Sequence, residues 1–113
     1  MLRRVLRLAD YEVALFDCGE AFLSSLESTA APACVILDVH MPRLSGFDVQ
    51  SRLRAAQLSI PIVFVTASAD PSLDDAVLEA DGVALLRKPF SSSELLDAVR
   101  DALLRKPRER SNR

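Results

Sequence analysis

Three polar residues each come at or just after the end of an apolar run, and together they could perform phosphoryl chemistry. The runs are residues 34–37, 60–65 and 83–86, and the polar residues are Asp38, Thr66 and Lys88. A carboxylate can attack a phosphoryl group to form an acyl phosphate. A hydroxyl can donate to a phosphoryl oxygen, and an ammonium group can neutralise the added negative charge. The residue types alone leave a second interpretation open, in which the three side chains cap loops and pair with one another.

The apolar runs are predicted to be buried parallel strands that bring these side chains together. The runs lack polar alternation, which is typical of strands covered on both faces. Helical patterns separate them, and the pair Ser91 and Glu94 predicts a capping box at the start of the last helix. The order of elements favours a flavodoxin-like doubly wound parallel sheet. Since parallel strands end at the same edge, Asp38, Thr66 and Lys88 are expected within side-chain reach of each other.

The amino-terminal third of the chain is predicted to contain a helix, a strand and a second helix. Leu2, Val5 and Leu6 lie on one face of the first helix. Residues 11–16 have the composition of a strand at the margin of a sheet. Asp17 with Glu20 has the pattern of a capping box that opens a helix running to about residue 27.

Composition limits the classes of function that this chain can have. The chain has 113 residues, enough for one domain, predicted as residues 1–104 followed by a basic, disordered tail at 105–113. A formal net charge of −2 argues against a nucleic-acid or membrane surface as the main feature of the fold. Cys18 and Cys34 match no metal-ligand spacing, and no segment has the length of a membrane span. These features predict a cytoplasmic protein with unpaired thiols.

Three motifs in the chain resemble the signature of a known family. They are Asp38-Val39-His40-Met41-Pro42-Arg43-Leu44-Ser45-Gly46, then Thr66-Ala67, then Lys88-Pro89-Phe90. In this order the motifs resemble the receiver domain of two-component response regulators, over about residues 1–104. The resemblance implies that Asp38 is the phosphoacceptor, Thr66 the switch hydroxyl and Lys88 the contact to the phosphoryl group. It also implies a cis Lys88-Pro89 bond and a histidine kinase as partner. An enzyme of another class is not expected, because no motif in the sequence resembles a catalytic triad, a phosphate-binding glycine loop or a metal-ligand cluster.

The chain departs from the family pattern at the expected metal site. Receiver domains begin with a strand that ends in an acidic pair, and that pair holds magnesium. Here residues 1–13 resemble the later part of the first helix and the second strand, so the fold is expected to be truncated, with the first strand absent. Asp38 and the backbone carbonyl of His40 would then be the protein ligands, and impaired magnesium-dependent phosphorylation is expected. Asp17 is the alternative acid, although its predicted role is the helix cap.

Two functions remain compatible with these residues. The first is a phosphoacceptor domain that receives a phosphoryl group from a histidine kinase. The second is a phosphorylation-independent binding module that acts on a kinase or on another response regulator. A sheet without its first strand would also expose backbone edges, so a homodimer is expected.

Overall fold

The computed structural model describes residues 2–105, which alternate between helices and strands. In chain order the elements are α1 (Leu2–Leu8), α2 (Gly19–Ser25), β1 (Val35–Asp38), α3 (Gly46–Ala55), β2 (Ile62–Thr66), α4 (Ser72–Glu79), β3 (Ala84–Arg87) and α5 (Ser92–Leu104). The three predicted apolar strands are therefore confirmed. The tail predicted from residue 105 onward lies, apart from Arg105 itself, outside the described residues.

The three strands form one parallel sheet in the order β1-β2-β3. Asp38 at the end of β1 is aligned with Val65, and Thr66 at the end of β2 is aligned with Arg87. Because both pairings run in the same direction, the carboxyl ends of all three strands lie at one edge. This is the edge where open α/β sheets place their functional groups.

Helices cover both faces of the sheet, and β2 is buried throughout. On one face a cluster joins β1 and β2 to α2, α3 and α4; its members include Phe22, Leu37, Val49, Leu53, Phe64 and Val77. On the other face Leu6 of α1 packs with Leu95 and Val99 of α5, and Val63 of β2 packs with Ala98 and Ala102. Each leucine, valine or phenylalanine side chain in these clusters contributes about 1.5–3 kcal/mol to stability when it is fully buried.

Two of the three predicted amino-terminal elements are confirmed, but the strand at residues 11–16 is wrong. This segment has no strand partner among the described residues. Tyr11 and Val13 are half-buried against the cluster of α1 and α5, whereas Glu12 and Leu15 are exposed. The residue types are typical of a strand, but a strand also needs backbone hydrogen bonds to a neighbouring strand.

The predicted capping box at Asp17 is also wrong. The N-cap of α2 is Cys18, which makes no side-chain capping hydrogen bond, and the helix ends at Ser25. Glu20 instead lies 3.7 Å from Arg43 in an exposed ion pair. The predicted box of Ser91 and Glu94 is confirmed at the start of α5.

Both cysteines are unpaired and half-buried, as predicted. Burial raises the pKa of the Cys34 thiol to about 11. No helix within residues 2–105 is long and apolar enough to cross a membrane.

Candidate functional site

Asp38 and Lys88, which are 50 residues apart in the chain, meet at the carboxyl edge of the sheet. The Lys88 Nζ atom lies 2.9 Å from Oδ2 of Asp38. The second carboxylate oxygen, Oδ1, accepts a hydrogen bond from the backbone N–H of His40 at 3.1 Å. The side chains of Asp38 and Lys88 are 34% and 46% exposed, so solvent and a reacting group can reach the pair. The structure thus places a carboxylate beside a cation, as the sequence predicted.

Thr66 lies at the end of the neighbouring strand and is fully buried. Its Oγ1 accepts a hydrogen bond from the backbone N–H of Ser68 at 3.0 Å. Its carbonyl oxygen accepts from the backbone N–H of Lys88 at 2.7 Å, which ties the end of β2 to the residue that contacts Asp38. Since a hydroxyl has one proton and two lone pairs, an oxygen that accepts from Ser68 can still donate its own proton.

The start of α3 lies directly against the backbone of Asp38. The backbone N–H of Gly46 donates to the carbonyl of Val39 at 3.0 Å. A Cβ atom at Gly46 would lie 2.6 Å from the carbonyl oxygen of Asp38 and 3.2 Å from the ring of Phe64. Ser45 and Asp48 cap the helix with reciprocal hydrogen bonds. Glycine is therefore the residue that allows α3 to approach the site closely.

The loop between β2 and α4 is ordered by a series of short turns that the sequence analysis missed. Thr66, Ser68 and Asp70 each accept, through a side-chain oxygen, the backbone N–H of the residue two positions later. The backbone N–H and then the hydroxyl of Ser72 hold the pKa of Asp70 below its usual value. The signal was present in the sequence as oxygen-bearing side chains at every second position from 66 to 72, which is typical of such turns.

Arg87, the last residue of β3, is the other contact that sequence reasoning missed. Its guanidinium donates to the carbonyls of Ser68 and Asp70 and pairs with the carboxylate of Asp74 in α4. Lys88 directly follows Arg87 at the end of β3. These two neighbouring residues therefore contact different parts of the site: Arg87 contacts the loop after Thr66, and Lys88 contacts the carboxylate of Asp38.

The residues around Asp38 do not form a complete site for a divalent cation. Magnesium requires near-octahedral oxygen ligands at short distance. Both Asp38 oxygens already accept from cationic or N–H donors, and residues 2–105 contain no group of three potential metal-binding side chains. The predicted ligands, Asp38 and the carbonyl of His40, therefore do not by themselves fit a magnesium ion.

The sequence of this chain is similar to those of known proteins. Residues 1–100 match the family described as the response regulator receiver domain. The chain is 37% identical over 111 residues to the response regulator protein TodT of Pseudomonas putida, covering 98% of this chain and 48% of TodT. The chain thus spans about half the length of the curated relatives that it matches first.

Solved structures share the fold of this chain. A response regulator receiver protein from Burkholderia phymatum superimposes with a TM-score of 0.81 at 36% identity, over 94% of this chain and 86% of that protein. The crystal structure of FixJ-N superimposes with a TM-score of 0.84 over 96% of this chain and 86% of FixJ-N. At 22% identity, the second likeness supports the fold alone.

Proposed function

This chain belongs to the response regulator receiver domain family, with its flavodoxin-like fold, and we propose that it accepts a phosphoryl group on Asp38 from a histidine kinase. The observation that carries the proposal is the ion pair of 2.9 Å between Asp38 and Lys88. In the proposed reaction a carboxylate oxygen of Asp38 attacks phosphorus, and the bond from phosphorus to the imidazole nitrogen of the donor breaks. The imidazole leaves with the bonding electron pair, and Asp38 becomes an acyl phosphate.

Lys88 and Thr66 have complementary parts in this proposal. The ammonium of Lys88 offsets the negative charge that the phosphoryl group brings to Asp38. The hydroxyl of Thr66, held by the N–H of Ser68, has its own proton available for a phosphoryl oxygen. The unpaired thiols of Cys18 and Cys34 are consistent with a pathway in the reducing cytoplasm.

We further propose that magnesium assists this reaction only weakly in this chain. Receiver domains generally bind magnesium in an acidic pocket. Both oxygens of the Asp38 carboxylate are already engaged by Lys88 and His40, and residues 2–105 contain no group of three potential metal-binding side chains. This observation also favours the alternative function, a binding module that acts on a kinase or another regulator without being phosphorylated.

The intact mass of the protein after incubation with a small-molecule phosphodonor tests the proposed function. We expect the parent chain to gain one phosphoryl group and Asp38→Asn to gain none, because asparagine lacks the nucleophilic carboxylate oxygen. Asp97→Asn is the matched control, since Asp97 is an exposed aspartate paired with Arg100 on α5. We expect the control to be modified like the parent, with little acceleration by magnesium.

The alternatives are separated by the same measurement. No adduct on a parent chain that is folded by circular dichroism would contradict phosphorylation and favour the binding module. An adduct whose formation saturates at sub-millimolar magnesium would contradict the proposal of weak metal assistance.

A homodimer is proposed through the free edge of β1. Within residues 2–105, β1 pairs with β2 alone, and Val35, Ile36 and Leu37 include none of the charges or prolines that protect edge strands. An edge of this kind can pair with a second copy of the chain.

Sedimentation velocity at micromolar concentration is expected to show a dimer. The variant Leu78→Lys should leave the dimer intact, because this exposed side chain lies on α4. A monomer in the parent chain would contradict the proposal.

A further inference from the structure

The guanidinium of Arg87 holds the β2–α4 loop, residues 67–71, at separate points. Its Nε atom donates to the carbonyl of Ser68 at 3.2 Å, and Nη2 donates to the carbonyl of Asp70 at 2.8 Å. Nη1 and Nη2 lie 3.3 and 3.4 Å from the two carboxylate oxygens of Asp74. The planar, multiply donating guanidinium suits this arrangement, whereas a lysine ammonium would act as a single point charge.

This loop is also the one that holds the hydroxyl of Thr66. Ser68 is fixed on both of its backbone groups, because its N–H donates to Thr66 Oγ1 and its carbonyl accepts from Arg87. A shift of the loop away from β3 would therefore move the N–H that orients the hydroxyl. Arg87 is aligned with Thr66 in the sheet, so this connection spans only two neighbouring strands.

We propose that Arg87 is a positioning residue for the Thr66 hydroxyl. By holding the Ser68 and Asp70 carbonyls against the end of β3, it keeps the Ser68 N–H on Thr66 Oγ1 and directs the hydroxyl proton toward the phosphoryl group on Asp38. The direction of the hydroxyl proton toward a phosphoryl group rests on the proposed function, whereas the contacts of Arg87 with the loop do not. The Arg87 side chain is 34% exposed, so its contacts are less screened than those of a fully exposed pair.

Amide hydrogen exchange measured by NMR tests the hold on the loop without any phosphorylation. In Arg87→Gln we expect the Ser68 amide to exchange about tenfold faster, because local opening of the loop becomes easier. The matched control is Arg100→Gln, which removes an arginine from an ion pair within α5. In the control the Ser68 amide should exchange at the parent rate.

A second pair of variants keeps this test decisive if Arg87→Gln folds poorly. Asp74→Asn removes the carboxylate partner and leaves both carbonyl contacts of Arg87, so a smaller acceleration at Ser68 is expected. Asp75→Asn is its control, as an exposed neighbour in the first turn of α4. Exchange of the Ser68 amide at the parent rate in a folded Arg87→Gln variant, or in Asp74→Asn where Arg87→Gln does not fold, would overturn the proposal.

A double-mutant cycle tests whether Arg87 acts through Thr66 on phosphoryl transfer. Arg87→Gln is expected to slow adduct formation on Asp38 about fivefold in the parent and to have no effect in a Thr66→Val background. If Arg87→Gln slowed adduct formation equally in the parent and in the Thr66→Val background, Arg87 would not act through Thr66. A general loss of structure would give that result, because it would slow the reaction in both backgrounds. Failure of the parent to form an adduct would overturn the proposed function, and amide exchange would still decide the role of Arg87 in holding the loop.

Discussion

The variant Lys88→Met is expected to form the phosphoryl adduct on Asp38 about 10²–10³-fold more slowly than the parent chain, as is typical when one preorganised charge-stabilising donor is removed. The Lys88 ammonium lies 2.9 Å from the Asp38 carboxylate before any phosphoryl group arrives. It is therefore already in place when negative charge accumulates in the transition state, and no reorganisation is needed. Methionine keeps a long unbranched side chain and removes the charge. Time courses of intact mass at a fixed phosphodonor concentration measure the effect.

The control for Lys88→Met is Arg100→Met, which also removes one exposed cation from an ion pair with an aspartate. If long-range charge governed the reaction, both variants would slow it to a similar extent. We expect Arg100→Met to react at nearly the parent rate, because solvent screens exposed charges at a distance. A Lys88→Met variant that reacts as fast as the parent would contradict a direct role for the ammonium.

The position of the predicted site residues could be inferred from the sequence because each of them comes at or just after the end of an apolar run. Periodicity identifies buried strands, and parallel strands end at one edge, so Asp38 and Lys88 could be expected near each other without knowledge of any contact. The actual partner of each oxygen could not be predicted. The hydrogen bond from His40 to Asp38 depends on the backbone of a loop, which the sequence pattern does not determine.

Arg87 shows why the surroundings of the site were missed. In the sequence it is a polar residue at the end of a short apolar run, and its partners Ser68, Asp70 and Asp74 are 13–19 residues away. Whether these residues lie close to Arg87 depends on where α4 begins relative to β3. The series of turns from Thr66 to Ser72 is local, by contrast, and spacing alone could have revealed it.

The error at residues 11–16 has a different physical origin. The residue types of this segment are typical of a strand, and Tyr11 and Val13 are half-buried, whereas Leu15 is exposed. Strand pairing requires a neighbouring strand at hydrogen-bonding distance, and the side-chain pattern of the segment does not show whether one is present. The error at Asp17 is similar, because the side-chain pattern does not determine where the helical backbone begins; here the N-cap is Cys18, which makes no side-chain capping hydrogen bond.

The variant Phe64→Ala is expected to lower the free energy of unfolding by about 3–5 kcal/mol, as for other fully buried aromatic side chains. Phe64 lies in the middle of β2 and is completely buried. Its ring packs against Phe47 with a centroid distance of 4.9 Å. It also fills the space beside Gly46 and Gly82, where an added Cβ would come within 3.2 and 2.8 Å of ring atoms. Because backbone lies on both sides of the Phe64 ring, the surrounding structure can collapse only partly into the cavity that the truncation leaves. The loss of free energy of unfolding should therefore lie at the upper end of this range.

Equilibrium denaturation by urea measures this loss, with Phe16→Ala as the matched control. Phe16 undergoes the same truncation but is 43% exposed and touches one aromatic neighbour, Phe22, at 5.7 Å. We expect the control to cost less than about 1.5 kcal/mol, since much of its apolar surface already faces water. Equal losses in the two variants would contradict the expectation that the cost depends on the complete burial of Phe64 and not on the truncation alone. A loss confined to Phe64→Ala would show that the buried ring between β2 and the helices on that face contributes strongly to the stability of the fold.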